Sequence, residues 1–402
     1  MALVSVEEAL ARILEGVRQL PAETIKLKDG LGRVLAADVA AKRPQPPFDA
    51  SAMDGYAVRH ADLSQTPVKL KLIGTSAAGH GFTRQVKSGE AVRILTGAPM
   101  PNGADTVVIQ ENTNVDGGLV EIQQRPELGR NIRGRGLDFN KGDVLVPKGT
   151  RLKARDLGLS ASANAAAIRV RRKARVAILT SGDELAAVGK APRWDQITSS
   201  NNQMLVALVT ALGAEAINFG MVCDDLKATT AAVKRAQNAD ILVTTGGASV
   251  GDHDFVQEAL KRAGVKIDFW KIALRPGKPF MFGSRGKLRV LGMPGNPVSA
   301  IMCALVFLKP LLHVMNGEAP DTGHGIARLA VPLPANDQRQ DYMRATKAYS
   351  GDGSLLVTPA SKQDSSMQRV MRNADCMIIR PPFAPALDAG AQVPILMFPP
   401  GI

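Results

Sequence analysis

Thr244-Thr245-Gly246-Gly247-Ala248-Ser249-Val250-Gly251-Asp252-His253-Asp254 is the stretch best equipped for chemistry, because an apolar run, Ile241 to Val243, stops at paired glycines and a helical pattern follows. That order reads as strand, turn and helix. Gly246, Gly247 and Gly251 let the backbone come close to a ligand, the hydroxyls of Thr244, Thr245 and Ser249 can donate, and the helix start offers unpaired N–H groups. Such a loop favours an anion. Asp252 and Asp254 admit two readings: they cap the helix, or they hold a divalent cation that bridges to a phosphorylated ligand.

More groups of the same kind stand at the ends of other apolar runs. Glu184 follows Val176 to Leu179, and Asp224 and Asp225 follow Ala216 to Val222. Lys271, Arg275 and Lys278 lie between the runs Ile267 to Leu274 and Pro279 to Phe282. Ser299 follows Leu288 to Leu291 and a Gly-Met-Pro-Gly-Asn-Pro turn. Open α/β sheets bind ligands beyond the carboxyl ends of their strands, so these residues are expected to line one site with the glycine loop. Acids beside Lys and Arg suit a metal-bridged phosphoanhydride, and this convergence favours the functional reading over capping. A second group lies nearer the N-terminus, in residues 48–58, 95–99 and 130–138. There Arg130, Arg133 and Arg135 alternate with glycines and end at Asp138, a pattern that fits either an oxyanion cradle or a solvated hairpin tip.

The elements that position these groups follow from periodicity. Ser5 to Glu8 reads as a capping box, opening an amphipathic helix that runs to Pro21. Residues 22–43 and 142–173 form a connector, with Pro44 to Pro47 as a hinge. Residues 44–141 carry short apolar runs broken by Gly and Pro and read as a β-rich arm. Residues 174–318 alternate β and α patterns, as in a doubly wound, mostly parallel sheet, and 319–402 read as a small β-domain. The fold class is α/β plus β.

Composition sets the bounds. The chain has 402 residues, 45% of them hydrophobic, which is enough for two to four domains. A net charge of +13 favours anionic partners, while 4% aromatics argue against a base-stacking surface, so no specific nucleic acid is expected. The run Arg169 to Arg175 leads straight into a strand and reads as a solvated edge. No apolar run reads as a bilayer span, and the cytoplasm is the expected compartment. Cys223, Cys303 and Cys376 are too scattered for a disulfide framework or a thiolate zinc site.

The phrases PPFDASAMDGYAV, RILTGAP, TTGGASVGDHD, RPGKPF and GMPGNPVSA, in this order over nearly the whole chain, resemble the molybdopterin molybdenumtransferase family, known as MoeA and including the gephyrin E-domain. A lone TGG loop would also fit the smaller molybdopterin adenylyltransferases, which are similar to the 174–315 region only. The resemblance implies four subdomains, a homodimer with sites shared between chains, and transient contact with the adenylyltransferase. It implies that adenylylated molybdopterin and molybdate give molybdenum cofactor and AMP, with Mg2+. Carried over by motif, the catalytic positions are Asp54, Thr96, Asp138, Glu184, Asp254, Lys271 and Arg275, and the metal positions are Asp224, Asp225 and Asp254. Substrate contacts fall to Thr245, Gly246, Gly247, Ser249, Gly251, Lys278, Pro294, Pro297, Ser299, Arg344 and Ser365. Two positions depart from the pattern: the family often carries Lys where Arg275 stands and Gly where Asp364 stands. A non-catalytic pterin carrier and a gephyrin-like scaffold are the readings of another class.

Overall fold

The computed structural model describes residues 3–246, 255–320, 323–399 and 401. Two compact units divide the chain: residues 24–31 with 37–169 form one, and residues 1–23, 32–36 and 170–402 form the other.

The smaller unit is built on a six-stranded sheet. Its strands are β1 (Gly55–Val58), β2 (Val68–Ser76), β3 (Glu90–Ile94), β4 (Thr106–Ile109), β5 (Thr113–Asp116) and β6 (Leu119–Ile122), in the order β4-β1-β3-β2-β6-β5. Only β2 and β3 run parallel. Tyr56, Val58, Leu70, Val108 and Ile122 fill one core, while Ala57, Val92, Ile94 and Val107 fill another. Strand alternation sends neighbouring residues to opposite faces, so one sheet serves both cores.

The larger unit holds a second six-stranded sheet, of β7 (Arg175–Ser181), β8 (Glu215–Val222), β9 (Ile241–Thr245), β10 (Lys266–Trp270), β12 (Met281–Arg285) and β13 (Leu288–Met293), in the order β8-β7-β9-β13-β12-β10. The first four are mutually parallel and the last two pair antiparallel. Helices α1 (Val6–Leu14) and α2 (Asn201–Ala211) and the helix Pro297–Asn316 share a core with Val176, Ile178 and Val243. Helices α3 (Leu226–Arg235) and α4 (Phe255–Arg262) pack on Ala177, Leu179 and Leu242, which face the other way. Apolar faces on both sides explain why these strands read as continuous hydrophobic runs.

A short strand, β11 (Leu274–Arg275), lies outside this sheet and pairs with Gln340 and Asp341 of the C-terminal barrel. The barrel comprises β14 (His324–Leu329), β15 (Gln340–Tyr349), β16 (Leu355–Pro359), β17 (Cys376–Arg380) and β18 (Gln392–Met397). It closes because β15 bonds to both β16 and β17.

Three expectations are corrected. The first helix stops at Leu14 rather than Pro21, since Gly16 takes a φ of 62°, a left-handed turn that ends a helix at little cost. The run Ile267 to Leu274 is not one strand: Lys271 has a φ of 106°, and the backbone of Val4 bonds across the break to Lys271 and Ala273. A helix of 20 residues, Pro297–Asn316, is apolar and long enough to cross a membrane, but the protein itself buries it as a core helix.

Candidate active-site cleft

At the carboxyl ends of β7, β9 and β13 the larger unit has a cleft of two adjoining lobes, of about 400 and 590 Å³, that share Glu184, Gly246, Gly295 and Asn296. Local geometry accounts for each wall. Gly246, with a φ of 84°, turns the chain directly over Ser181, so closely that a Cβ would overlap the Ser181 carbonyl oxygen. Only glycine fits there. Thr245 Oγ1 donates to Pro294 O at 3.1 Å and accepts from Asn201 Nδ2 at 3.0 Å, which couples the end of β9 to the turn after β13. Pro297 opens its helix at a position where a missing N–H costs nothing.

The larger lobe carries the charge. Arg275, Lys278 and Arg339 line it, with Glu184 and Asp364 as acids. Arg275 spends its guanidinium on the barrel, donating to Asp337 at 2.9 Å, Asn336 at 3.0 Å and Asp341 at 2.5 Å. The bond to Asp341 is the first cause that holds its pKa above the ordinary value. Arg339 also pairs with Asp337, at 3.1 Å, and its backbone N–H leads the contacts that hold the Asp337 pKa below the usual carboxylate range. Two arginines thus face two aspartates and cancel. Among the described residues, Lys278 is the lining cation left without an acidic partner.

Among the described residues, the smaller lobe has no Lys or Arg on its wall; hydroxyls and amides predominate, with the shared Glu184 as its acid. Ser365 lies on the charged side, where its Oγ accepts from Asn296 at 2.7 Å and its carbonyl accepts from Val298 N–H.

Most of the sequence-predicted residues of this unit therefore meet in one place: Glu184, Thr245, Gly246, Arg275, Lys278, Pro294, Pro297, Ser299 and Ser365 all touch the cleft. Gly247, Ser249, Gly251, Asp252 and Asp254 lie outside the described residues. Arg344 stands behind the wall, fully buried, reaching the Asp364 carbonyl at 3.1 Å. Asp224 touches the cleft only through Ser181, whose hydroxyl donates to it at 2.5 Å. Asp225 caps α3, accepting from Ala228 N–H at 2.7 Å. Lys271 is exposed at the break after β10, with its ammonium 5.7 Å from the Trp270 ring centre, and does not line the cleft.

In the smaller unit, backbone pairing gathers the other three segments. Ala50 and Ser51 pair with Arg133 and Ile132, Ser51 N–H bonds to Ala98 O, and Asp49 accepts from Arg135 N–H at 2.7 Å. Asp54 Oδ1 receives the Thr96 N–H at 2.6 Å and its hydroxyl at 2.8 Å, and these bonds, the backbone one first, hold its pKa below the usual carboxylate range. Asp138 is exposed nearby in sequence to that ladder.

Sequence reasoning missed Ser199, Asn201, Asn296, Arg339 and Gln363. The run Ser199-Ser200-Asn201-Asn202 reads only as a helix start, yet Ser200 makes no side-chain cap bond and instead accepts from Gln368 at 2.9 Å.

Comparison with known proteins agrees with this organisation. Family profiles match residues 4–164 (MoeA N-terminal region, domains I and II), 177–314 (described as a probable molybdopterin binding domain) and 326–398 (MoeA C-terminal region, domain IV). The chain is 34% identical to a molybdopterin molybdenumtransferase of Haemophilus influenzae over 98% of its length and 99% of the relative. It is 33% identical to that of Bacillus subtilis, over 98% and 94%. A molybdopterin biosynthesis MoeA protein from Pyrococcus horikoshii superposes with a TM-score of 0.85 at 29% identity, covering 99% of this chain and all of that one. With full-length relatives above 30% identity and all three profiles in register, the chain belongs to the molybdopterin molybdenumtransferase (MoeA) family.

Proposed function

We propose that this chain inserts molybdate into adenylylated molybdopterin, releasing AMP and forming molybdenum cofactor in the cytoplasm. Membership of the family gives it a role in molybdenum cofactor biosynthesis. The observation that carries the specific reaction is the two-lobed cleft, where a lobe lined mainly by hydroxyls and amides adjoins one holding Lys278, a cation without an acidic partner among the described residues. A substrate that joins neutral heterocycles through a pyrophosphate linkage, brought together with an oxyanion, matches that division. Lys278 would attract the tetraoxoanion, and the backbone around Gly246 would let the pyrophosphate linkage come close. Orientation and charge neutralisation supply most of phosphoryl-transfer catalysis, so no nucleophilic side chain is required.

Magnesium fits the donor set. No three His, Cys, Asp or Glu side chains gather into a cage among the described residues. Magnesium keeps several waters and binds through one or two carboxylates plus substrate phosphates, so Glu184 on the cleft wall, with Asp254, would suffice. When bound it would supply charge neutralisation at the phosphates. Asp224 and Asp225, engaged with Ser181 and the α3 N-terminus, would act from behind.

The proposal extends to a homodimer in which Asp54, Thr96 and Asp138 of one chain serve a site of the partner. Its support is that the segments carrying them also expose Phe48, Met53, Leu95 and Leu137, apolar side chains that a second chain would cover. Transient contact with the adenylyltransferase would deliver the substrate. Incubating the purified protein with adenylylated molybdopterin, molybdate and magnesium tests the reading: AMP must appear, and its release must depend on molybdate. A carrier or scaffold would release none.

A further inference from the structure

Two buried polar groups on the smaller lobe have no partner among the described residues. Asn201 is 8% exposed, and its Nδ2 donates to Gly295 O at 2.6 Å and Thr245 Oγ1 at 3.0 Å. A carbonyl oxygen can only accept, so the amide nitrogen must face Gly295, and Thr245 is free to accept because its own proton goes to Pro294. The orientation of the amide is therefore settled. Asn201 Oδ1 is left buried without a hydrogen bond, and only a donor can satisfy it. Ser199, 4% exposed and anchored by its N–H to Ala186 O at 2.9 Å, has an equally orphaned hydroxyl. Both residues line the same lobe, the one without Lys or Arg among the described residues. Buried polar groups without partners carry a standing cost, and a ligand that completes them recovers it.

We propose that Asn201 Oδ1 and Ser199 Oγ read the N–H edge of the substrate's heterocycle, so that the ring enters the smaller lobe while the anions remain in the larger. This rests on the function proposed above and adds to it which groups select the ring. A ring with an exocyclic amine beside a ring N–H, as in the aminopyrimidinone of a pterin, offers adjacent donors to these two oxygens. The adenine amine is the other source of the same chemistry. A site built to pair with a ligand N–H rejects an analogue that lacks it, because its own buried group then stays unpaired.

The test uses the full chain, wild type and the variants Ser199→Ala and Asn201→Ala, with calorimetric titration of three probes. These are 6-hydroxymethylpterin, its analogue with the exocyclic amine replaced by carbonyl oxygen, and AMP. Ser199→Ala removes a hydroxyl that bonds to nothing among the described residues, so the thermal midpoint should hold or rise while the pterin binds roughly tenfold more weakly. A merely structural hydroxyl would give the opposite pair of results. Wild type should prefer the amine over the oxo ring by roughly tenfold, and Asn201→Ala should lose that preference. Where free rings bind too weakly to titrate, the KM for adenylylated molybdopterin in the AMP-release assay replaces Kd, with kcat unchanged in Ser199→Ala. Weakening confined to AMP would assign the edge to adenine and support the same N–H recognition. If wild type binds or turns over substrate and both variants match it, water alone satisfies the two oxygens; the inference falls and the proposed function stands. If wild type binds no probe and releases no AMP, the function falls and this inference with it.

Discussion

Replacing Lys278 by methionine and, separately, Arg275 by methionine should have opposite consequences, although both are cations on the same lobe. Arg275 is compensated: Asp341, only 7% exposed, relies on it at 2.5 Å, and Asp337 at 2.9 Å. Removing the partner of a fully buried charge costs about 3–5 kcal/mol. Because the Arg275 side chain is 38% exposed and water can reach the vacated space, about 2 kcal/mol is the expected loss of stability. Lys278 is exposed and has no acidic partner among the described residues, so Lys278→Met should leave stability within about 0.5 kcal/mol of wild type. Its charge is instead available to an anion. Unit charges 4 Å apart exchange about 4 kcal/mol at an effective dielectric near 20, and solvent screening at an exposed ammonium leaves about a third of that. The KM for molybdate should then rise roughly tenfold. Urea unfolding and AMP release at varied molybdate, each at low and high salt, separate the two. The wild-type KM should climb with salt and the Lys278→Met value should be nearly flat. If Lys278→Met keeps the wild-type KM and salt response, while Arg275→Met raises KM without destabilising the protein, the compensation argument is wrong and Arg275 is the anion's partner.

Gly246→Ala would force a side chain into a left-handed φ against the Ser181 carbonyl, and the combined strain and overpacking should cost about 2–4 kcal/mol in urea unfolding with loss of AMP release. Thr96→Val deletes the hydroxyl bond to Asp54 but keeps the N–H bond, so the carboxyl should titrate higher than in wild type yet still below the usual range, as followed by carboxyl-carbon NMR. Since a lowered folded pKa contributes stability above the unfolded value and loses it as pH falls through the folded one, wild type should be the more stable above about pH 4, and the difference between it and the variant should shrink as the pH falls below that. Co-expressing Asp54→Ala and Asp254→Ala chains should restore AMP release that neither homodimer shows, because a shared site confines both lesions to one of the two sites; no recovery in a verified heterodimer would rule the shared site out.

Much of the cleft was legible because it depends on local order. Apolar runs that end at Gly, Asp or Pro mark strands buried on both faces, and the rule that ligands sit beyond their carboxyl ends places Glu184, Thr245, Gly246, Lys278 and Ser299 together. What escaped depends on residues far apart in the chain. Lys271 follows an unbroken β pattern, but the pairing of Val4 with the break after it turns its side chain out of the site. Asn201 looks like one polar residue among four at a helix start until Thr245 and Gly295 arrive to take its amide protons.

Arg275 shows most clearly how the second architecture alters the first. Its motif, Arg-Pro-Gly-Lys, presents two cations three residues apart, and nothing local distinguishes them. The distinction comes from β11, which lies outside the α/β sheet and pairs with β15 so that Leu274 and Arg275 lie against Gln340 and Asp341. That ladder delivers the Arg275 guanidinium to the barrel's acids and leaves Lys278, beyond the Pro-Gly turn, on the cleft wall without an acidic partner among the described residues. An α/β domain without the barrel would present both charges and lack the wall formed by Arg339, Gln363, Asp364 and Ser365. The barrel therefore sets the charge of the anion lobe as well as its shape, and a fork-shaped cation at position 275 suits a structural tie to two carboxylates better than a point charge would.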